Sequence, residues 1–312
     1  MAENQAPDPS TPPVVGQWIE QLLNGQSADG GFGAASGRPP NSESTALALL
    51  ALRAHPQHKS KADRARDWLA ARQRADGGWA LFDDAEDGSW ATPWALVALQ
   101  AEEGIAADSL PRGAAWLARR EGRRLGFLSR LLFRLLPAEE RTALDPQLVG
   151  WPWHDGSFSW VEPTSVAMLA LKRLRQQLGG DFPRQRVEEG EKLLYDRECE
   201  DGGWNYGNRA VLGEELHGYP DVTALALLAL QDQPAERTAK SRRTLSEMLA
   251  SDETSGLTLA LGSLCFSLYG EDTSSLQGRL IARYERTRFL GEMRTLAFAS
   301  LAFAGGERLR VS

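Results

Sequence analysis

Cysteine is scarce in this chain: Cys199 and Cys265 are the two among 312 residues, too few for a disulfide framework. Basic residues are outnumbered, 35 Lys+Arg against 42 Asp+Glu, and the formal net charge of −7 argues against nucleic acid as the main partner. Long apolar runs are missing too. The longest uncharged stretch, Thr254 to Gly270, is interrupted by Gly and Ser and falls short of the roughly 20 apolar residues a membrane span needs. Residues 1–13 are polar and Pro-rich, without the charged-then-apolar order of a signal peptide, and read as a disordered lead-in to a cytoplasmic protein. With only four His there is little ligand capacity for a metal, and no Walker loop, dinucleotide fingerprint or nucleophile elbow is present. No metal and no cofactor is expected.

What is present is a repeat. Thr45-Ala-Leu-Ala-Leu-Leu-Ala-Leu52, Thr92-Pro-Trp-Ala-Leu-Val-Ala-Leu99, Thr164-Ser-Val-Ala-Met-Leu-Ala-Leu171 and Thr223-Ala-Leu-Ala-Leu-Leu-Ala-Leu230 align residue for residue. Two degenerate copies follow, Leu257 to Leu264 and Arg294 to Leu301. Segments apolar nearly all round and rich in Ala and Leu are buried helices, since strands prefer β-branched and aromatic residues. Amphipathic stretches lie between them: Val14 to Asn24, Lys61 to Arg74, Leu110 to Arg120, Arg186 to Arg197, Glu236 to Ser251 and Ser274 to Arg288. Six polar-faced and six apolar helices in alternation predict an all-α (α/α)6 barrel over 14–306, six inner helices inside six outer ones. An open helical solenoid is the competing architecture.

The loops repeat as well. Gln26-Ser-Ala-Asp-Gly-Gly-Phe32, Gln73-Arg-Ala-Asp-Gly-Gly-Trp79 and Glu198-Cys-Glu-Asp-Gly-Gly-Trp204 share Asp-Gly-Gly-aromatic, with His154-Asp-Gly-Ser-Phe158 as a looser relative. Glycine supplies the positive φ of a tight helix exit, and the aromatic is expected to fold back onto the helix just left.

Gly-Gly-Trp turns with an upstream Gln, alternating with Ala/Leu-rich helices, resemble the terpene cyclase and prenyltransferase repeat superfamily, which includes squalene-hopene cyclases and protein prenyltransferase β subunits. The resemblance runs from about Gln17 to Gly305. Gly150-Trp-Pro-Trp153, Ser159-Trp-Val-Glu-Pro-Thr164 and Asp201-Gly-Gly-Trp-Asn-Tyr-Gly-Asn208 also resemble bacterial single-barrel prenyltransferase or squalene oxidase repeat proteins. It implies an isoprenoid or another apolar small molecule as ligand. The proton-donor motif Asp-x-Asp-Asp-Thr-Ala of the cyclases is reduced here to Tyr219-Pro-Asp221-Val-Thr223-Ala, with one acid. The zinc ligands of the prenyltransferases find only Cys199, His217 and Asp221, and Cys199 stands before a Gly-Gly turn instead of at an inner helix start.

Two residues ahead of the Thr position of each inner helix stand Glu43, Trp90, Glu162, Asp221, Ser255 and Glu292. Carboxylates at helix starts serve capping and the macrodipole; gathered round one apolar cavity they would repel, so that one holds a proton as a general acid. Asp221, with Glu162 and Glu43, are the catalytic candidates. Trp90, Trp94, Trp151, Trp153, Trp160, Trp204 and Tyr206 are the substrate-binding candidates, because aromatic faces stabilise cations by roughly 0.5–2 kcal/mol; Phe158 lies among them. Asp83-Asp84-Ala-Glu-Asp87 reads as a solvated acidic loop. The gap between Thr92 and Thr164 is the longest between copies and holds a basic amphipathic insert, 121–149. There Leu125, Leu128, Leu131, Leu132, Leu135 and Leu136 form one stripe opposite Arg130 and Arg134. Residues 123–136 would either lie on an anionic membrane, at the inner face, or pack on the barrel rim. Two functions stand: an isoprenoid-binding or isoprenoid-processing barrel, starting cyclisation by protonation, and a non-catalytic scaffold that keeps the repeat without the chemistry. A carbohydrate-active barrel would need paired carboxylates in an open cleft.

Overall fold

The computed structural model describes residues 12–85, 88–124, 126, 144–211 and 214–311. Most of the lead-in, Glu86 and Asp87 of the acidic loop, and the leucine stripe with Arg130 and Arg134 lie outside them. Twelve helices of eight residues or more are found among the described residues: α1 Pro13–Leu23, α2 Ser42–Arg53, α3 Lys59–Ala70, α4 Ala91–Leu99, α5 Ser109–Arg119, α6 Val161–Arg173, α7 Arg184–Asp196, α8 Pro220–Ala229, α9 Ala235–Leu249, α10 Gly256–Leu268, α11 Ser274–Thr287 and α12 Met293–Phe303. They alternate in character as the sequence predicts. All of α4 is buried, as are Ser42 and Ser44 through Leu52 of α2. By contrast α3 buries one stripe, Ala62, Ala65, Trp68 and Leu69, and α7 another, Val187, Gly190, Leu193 and Leu194. Each fully buried Leu contributes about 1.5–3 kcal/mol relative to an exposed one, so the Ala/Leu helices carry most of the core. No described helix is long and apolar enough to cross a membrane.

The chain divides into two compact units. The described residues of Met1–Trp116 with Glu253–Arg310 make the first, and Leu117–Asp252 with Val311 the second, α5 running from one into the other. In unit 1, α2 packs on α3, α4 and α12, while α10 packs on α11 and α12. In unit 2, α6 packs on α7 and α8, and α8 on α9.

One hydrogen-bond device recurs at the inner helix starts. The aromatic of each turn donates its backbone N–H to the threonine hydroxyl four residues or fewer into the next even-numbered helix: Phe32 to Thr45 at 2.9 Å, Trp79 to Thr92 at 2.8 Å, Trp151 to Thr164 at 3.0 Å and Trp204 to Thr223 at 2.9 Å. The indole then caps the helix behind it. Trp79 Nε1 donates to Leu69 O at 2.8 Å, Trp204 Nε1 to Leu194 O at 2.6 Å, and Trp151 Nε1 to Leu117 O at 2.8 Å, each adding a second donor to a last-turn carbonyl that also accepts the backbone N–H three residues on. Gly150-Trp151 therefore occupies the turn of the third repeat, which the sequence reading gave to His154-Asp-Gly-Ser-Phe158. The insert comes between α5 and this turn, which separates donor and acceptor by 34 residues instead of 10.

The turn itself is held from both sides. Asp29, Asp76 and Asp201 each accept the N–H two residues on, that of Gly31, Gly78 or Gly203. Between them Gly30, Gly77 and Gly202 take φ of +103°, +98° and +90°, where an L side chain is strained. Gln26 and Gln73 reach from their turn to the start of the following outer helix, at Lys61 O (3.0 Å) and Ser109 O (2.8 Å).

At the opposite ends of the inner helices each unit has a cation clamp. Arg53 at the end of α2 pairs with Asp63 at 2.7 Å and Glu102 at 2.5 Å. Lys172 in the last turn of α6 pairs with Glu191 at 2.7 Å and Asp232 at 2.5 Å, and donates to Ala229 O.

Candidate functional site

The acids at the inner helix starts fall into two registers. Asn41, Trp160 and Tyr219 precede α2, α6 and α8, so Glu43, Glu162 and Asp221 are the second helical residues. Ser255 and Glu292 instead are the N-caps of α10 and α12, and Ser255 accepts the Thr258 N–H. The second residue of α12 is Arg294, not an acid. The equivalence drawn from the Ala/Leu pattern thus holds for three carboxylates and places a guanidinium at a fourth position.

In unit 1 that guanidinium answers Glu43. Arg294 Nη1 lies 3.7 Å from Glu43 Oε1, and Trp90 Nε1 donates to Glu43 Oε2 at 3.4 Å. Trp94, 2% exposed, meets Phe298 edge to face with centroids 5.5 Å apart, and the Arg294 guanidinium sits 5.9 Å from the Phe298 ring centre. Trp94, a substrate-binding candidate from the sequence, is thus buried against Phe298 of α12.

Unit 2 is arranged differently. Asp221 is half-buried in the first turn of α8 and makes no side-chain hydrogen bond or ion pair with the described residues, although two backbone N–H groups of that turn lie free of helical partners. Tyr219 just before it is 49% exposed and stacks obliquely on Tyr206 at 5.3 Å between centroids. The loop from Trp204 to Thr223 spans 19 residues where the first three repeats span 13, and the extra length carries Tyr206 and a two-strand ribbon, β1 Ala210–Val211 against β2 Glu214–Glu215. Tyr206 O accepts the Val161 N–H at 3.0 Å, which ties this loop to the start of α6 beside Glu162. Trp160, Phe158, Val211 and Leu216 are exposed here as well. A cavity of about 350 Å³ opens nearby, lined by Phe158, Trp160, Leu148 and Pro146 with Arg123 and Arg197.

The remaining aromatic candidates divide by burial. Trp151 and Trp204 are buried with their indole N–H groups bonded to the last turns of α5 and α7, and an Arg186 guanidinium covers Trp151 at 4.3 Å. Trp153 is half-buried, as is Trp90. Cys199 is buried, accepts from Asn205 Nδ2, and burial pushes its thiol up to about 11, which disfavours the thiolate a metal needs. His217 faces Asp201 at 3.5 Å. No group of three or more His, Cys, Asp or Glu poised for a metal occurs among the described residues. Sequence reasoning missed Arg294, Arg123 and Arg197 as site residues: Arg294 opens the last degenerate copy of the repeat, where its partner Glu43 could not be read, and Arg123 and Arg197 lie outside the Ala/Leu copies.

No known protein-family profile matches the sequence. A squalene-hopene cyclase of Schizosaccharomyces japonicus is 33% identical over 76 residues, 24% of this chain and 12% of that protein, so the match covers a small part of the relative's length. Among solved structures, the type II terpene cyclase MstE of Scytonema, in complex with geranylgeranyl dihydroxybenzoate, is similar over 95% of this chain and 97% of its own, with 15% identity and a TM-score of 0.57. The chain has the terpene cyclase and prenyltransferase fold. Candida albicans protein geranylgeranyltransferase-I, solved with GGPP, shares it over 75% of this chain and 67% of its own, at 14% identity and a TM-score of 0.50. The all-α class predicted from the repeat is therefore the fold of this chain, and the Gly-Gly-aromatic turns with their threonine anchors recur at its inner helix starts.

Proposed function

We propose that this chain binds an isoprenoid or a similar apolar small molecule at the inner helix starts of unit 2, and that Asp221 protonates it to begin cyclisation. The carrying observation is Asp221 itself: a half-buried carboxyl at the start of an apolar helix, without a partner among the described residues, beside exposed Tyr206 and Tyr219. Glu43 is instead engaged by Arg294 and the Trp90 indole. Glu162 is a positioning or charge-balancing residue in this reading. A proton from Asp221 adds to an alkene carbon of the ligand, the next double bond attacks the carbocation formed, and a proton is lost to end the sequence. Trp160, Tyr206 and Tyr219, at roughly 0.5–2 kcal/mol per ring, are placed to stabilise that positive charge. The MstE and geranylgeranyltransferase folds, solved with prenylated ligands, support the ligand class.

Native mass spectrometry and lipid extraction of the purified chain test the first half; an isoprenoid should co-purify, and a chain that retains none counts against binding. In a turnover assay built on that ligand, Asp221→Asn should lower the rate at least 100-fold while keeping the ligand, and unchanged turnover removes Asp221 as the acid. A second reading, the non-catalytic scaffold, draws on unit 1, where Trp94 and Phe298 pack against each other.

A further inference from the structure

The cavity of unit 2 is not purely apolar. Arg197 directly follows α7 with its side chain 11% exposed, and its Nη1 donates to Asp196 Oδ2 at 2.9 Å. That is its sole side-chain bond among the described residues, so the remaining donors of this half-buried guanidinium, which carries five, have no acceptor among them. The Asp196 carboxylate is itself shared, because it accepts the Asp145 backbone N–H at 3.1 Å. Burial, together with the nearby Arg209, lowers the proton affinity of Arg197 against the pull of Asp196 and Asp145. Arg123 supplies a second cation. Its backbone N–H is fixed to Ser157 O at 2.8 Å, its guanidinium stands 5.9 Å from the Phe158 ring centre, and it has no carboxylate partner among the described residues. The same cavity is lined by apolar Phe158, Trp160, Leu148 and Pro146. At about 350 Å³ the cavity is of the size of a small-molecule site.

We propose that this cavity holds an amphipathic anion, with a carboxylate or phosphate head between Arg123 and Arg197 and an apolar chain along Phe158 and Trp160. The assignment rests on the apolar-ligand reading above for the chain and adds the head group. A planar guanidinium takes two oxygens of either head at once, and in a half-enclosed apolar wall such a charge-assisted bond is worth more than in open water. Arg197 would then have acceptors for the donors the protein leaves over.

Isothermal titration of the full-length chain with decanoate, decyl phosphate and decanol tests it. At least one of the two anions should bind tenfold or more tighter than the alcohol at low salt, with the advantage shrinking as sodium chloride is added; which anion wins names the head. Arg123→Gln, on an exposed side chain and so safe for folding, should cost the anion at least fivefold and leave decanol unchanged. Arg197→Gln should do the same where it folds, judged by circular dichroism. Equal binding of all three probes, or an Arg123→Gln protein with wild-type anion affinity, overturns the proposal. Decanol binding without anion preference overturns the head group while sparing the isoprenoid reading; anion binding by a chain that retains no isoprenoid does the reverse.

Discussion

The two units build their inner helix starts with the same turn and finish them differently. In unit 1 the carboxylate of Glu43 meets Arg294 and the Trp90 indole, and Trp94 packs on Phe298. In unit 2 Asp221 has no such partner among the described residues, and Phe158, Trp160, Tyr206 and Tyr219 are exposed near an arginine-lined cavity. A repeat that is conserved as architecture has been closed with its own side chains in one place and left open in another. Exposed aromatic surface is unfavourable unless something covers it, which is why the open unit is where a ligand is sought.

The largest effect should separate the aromatic residues. Trp94→Ala removes a buried ring from unit 1 and is expected to cost about 3–5 kcal/mol in urea unfolding, whereas Trp160→Ala, from a side chain 38% exposed, should cost less than about 1 kcal/mol. Equal losses would erase the contrast. Next come the clamps. Lys172 is 1% exposed and holds two carboxylates, so Lys172→Ala should cost about 3–5 kcal/mol; Arg53→Ala, at the more accessible clamp, should cost less.

The third contrast is in pH. Burial, with His58 nearby, pulls His55 of unit 1 down from 6.5 to about 4, and its Nε2 lies 2.8 Å from Ser300 Oγ. The folded form therefore binds the proton less readily than the unfolded one. This stability is complete above pH 6.5 and drains away as pH falls toward 4, by at most about 3 kcal/mol at 1.36 kcal/mol per unit. Stability measured from pH 7 to 4 should drop in the wild type and much less in His55→Gln; parallel curves would contradict it. The smallest effect belongs to the shared device. Thr45→Val and Thr223→Val each strip the hydroxyl from a turn anchor and should each cost about 1–3 kcal/mol, because the aromatic N–H is left buried and unpaired. A large difference between the two would mean that the turns are not equivalent.

The helices were legible because a buried Ala/Leu segment and an amphipathic one differ at nearly every position, and the twelve spans fall within a turn of those read from composition. The phase of the last two copies was not. Inside an all-apolar segment nothing polar marks the first turn, so Leu257 and Arg294 aligned with Thr45 although their helices begin elsewhere in the pattern. Trp151 was hidden for another reason. The insert severs it from α5, and only its 13-residue distance to Thr164, the same as Phe32 to Thr45 and Trp79 to Thr92, gives it away. The acids could be found by position, but their partners could not: whether a carboxylate at a helix start faces a cation such as Arg294 is decided by which helices pack together.

Photo-crosslinking with a benzophenone-bearing geranyl probe, followed by peptide mass spectrometry, tests most directly that unit 2 is the open half. The account predicts adducts in the peptides carrying Phe158, Trp160, Tyr206 and Tyr219, displaced by excess geranylgeraniol. Labelling concentrated on the peptides of Trp94 and Phe298, or spread without competition, would contradict it.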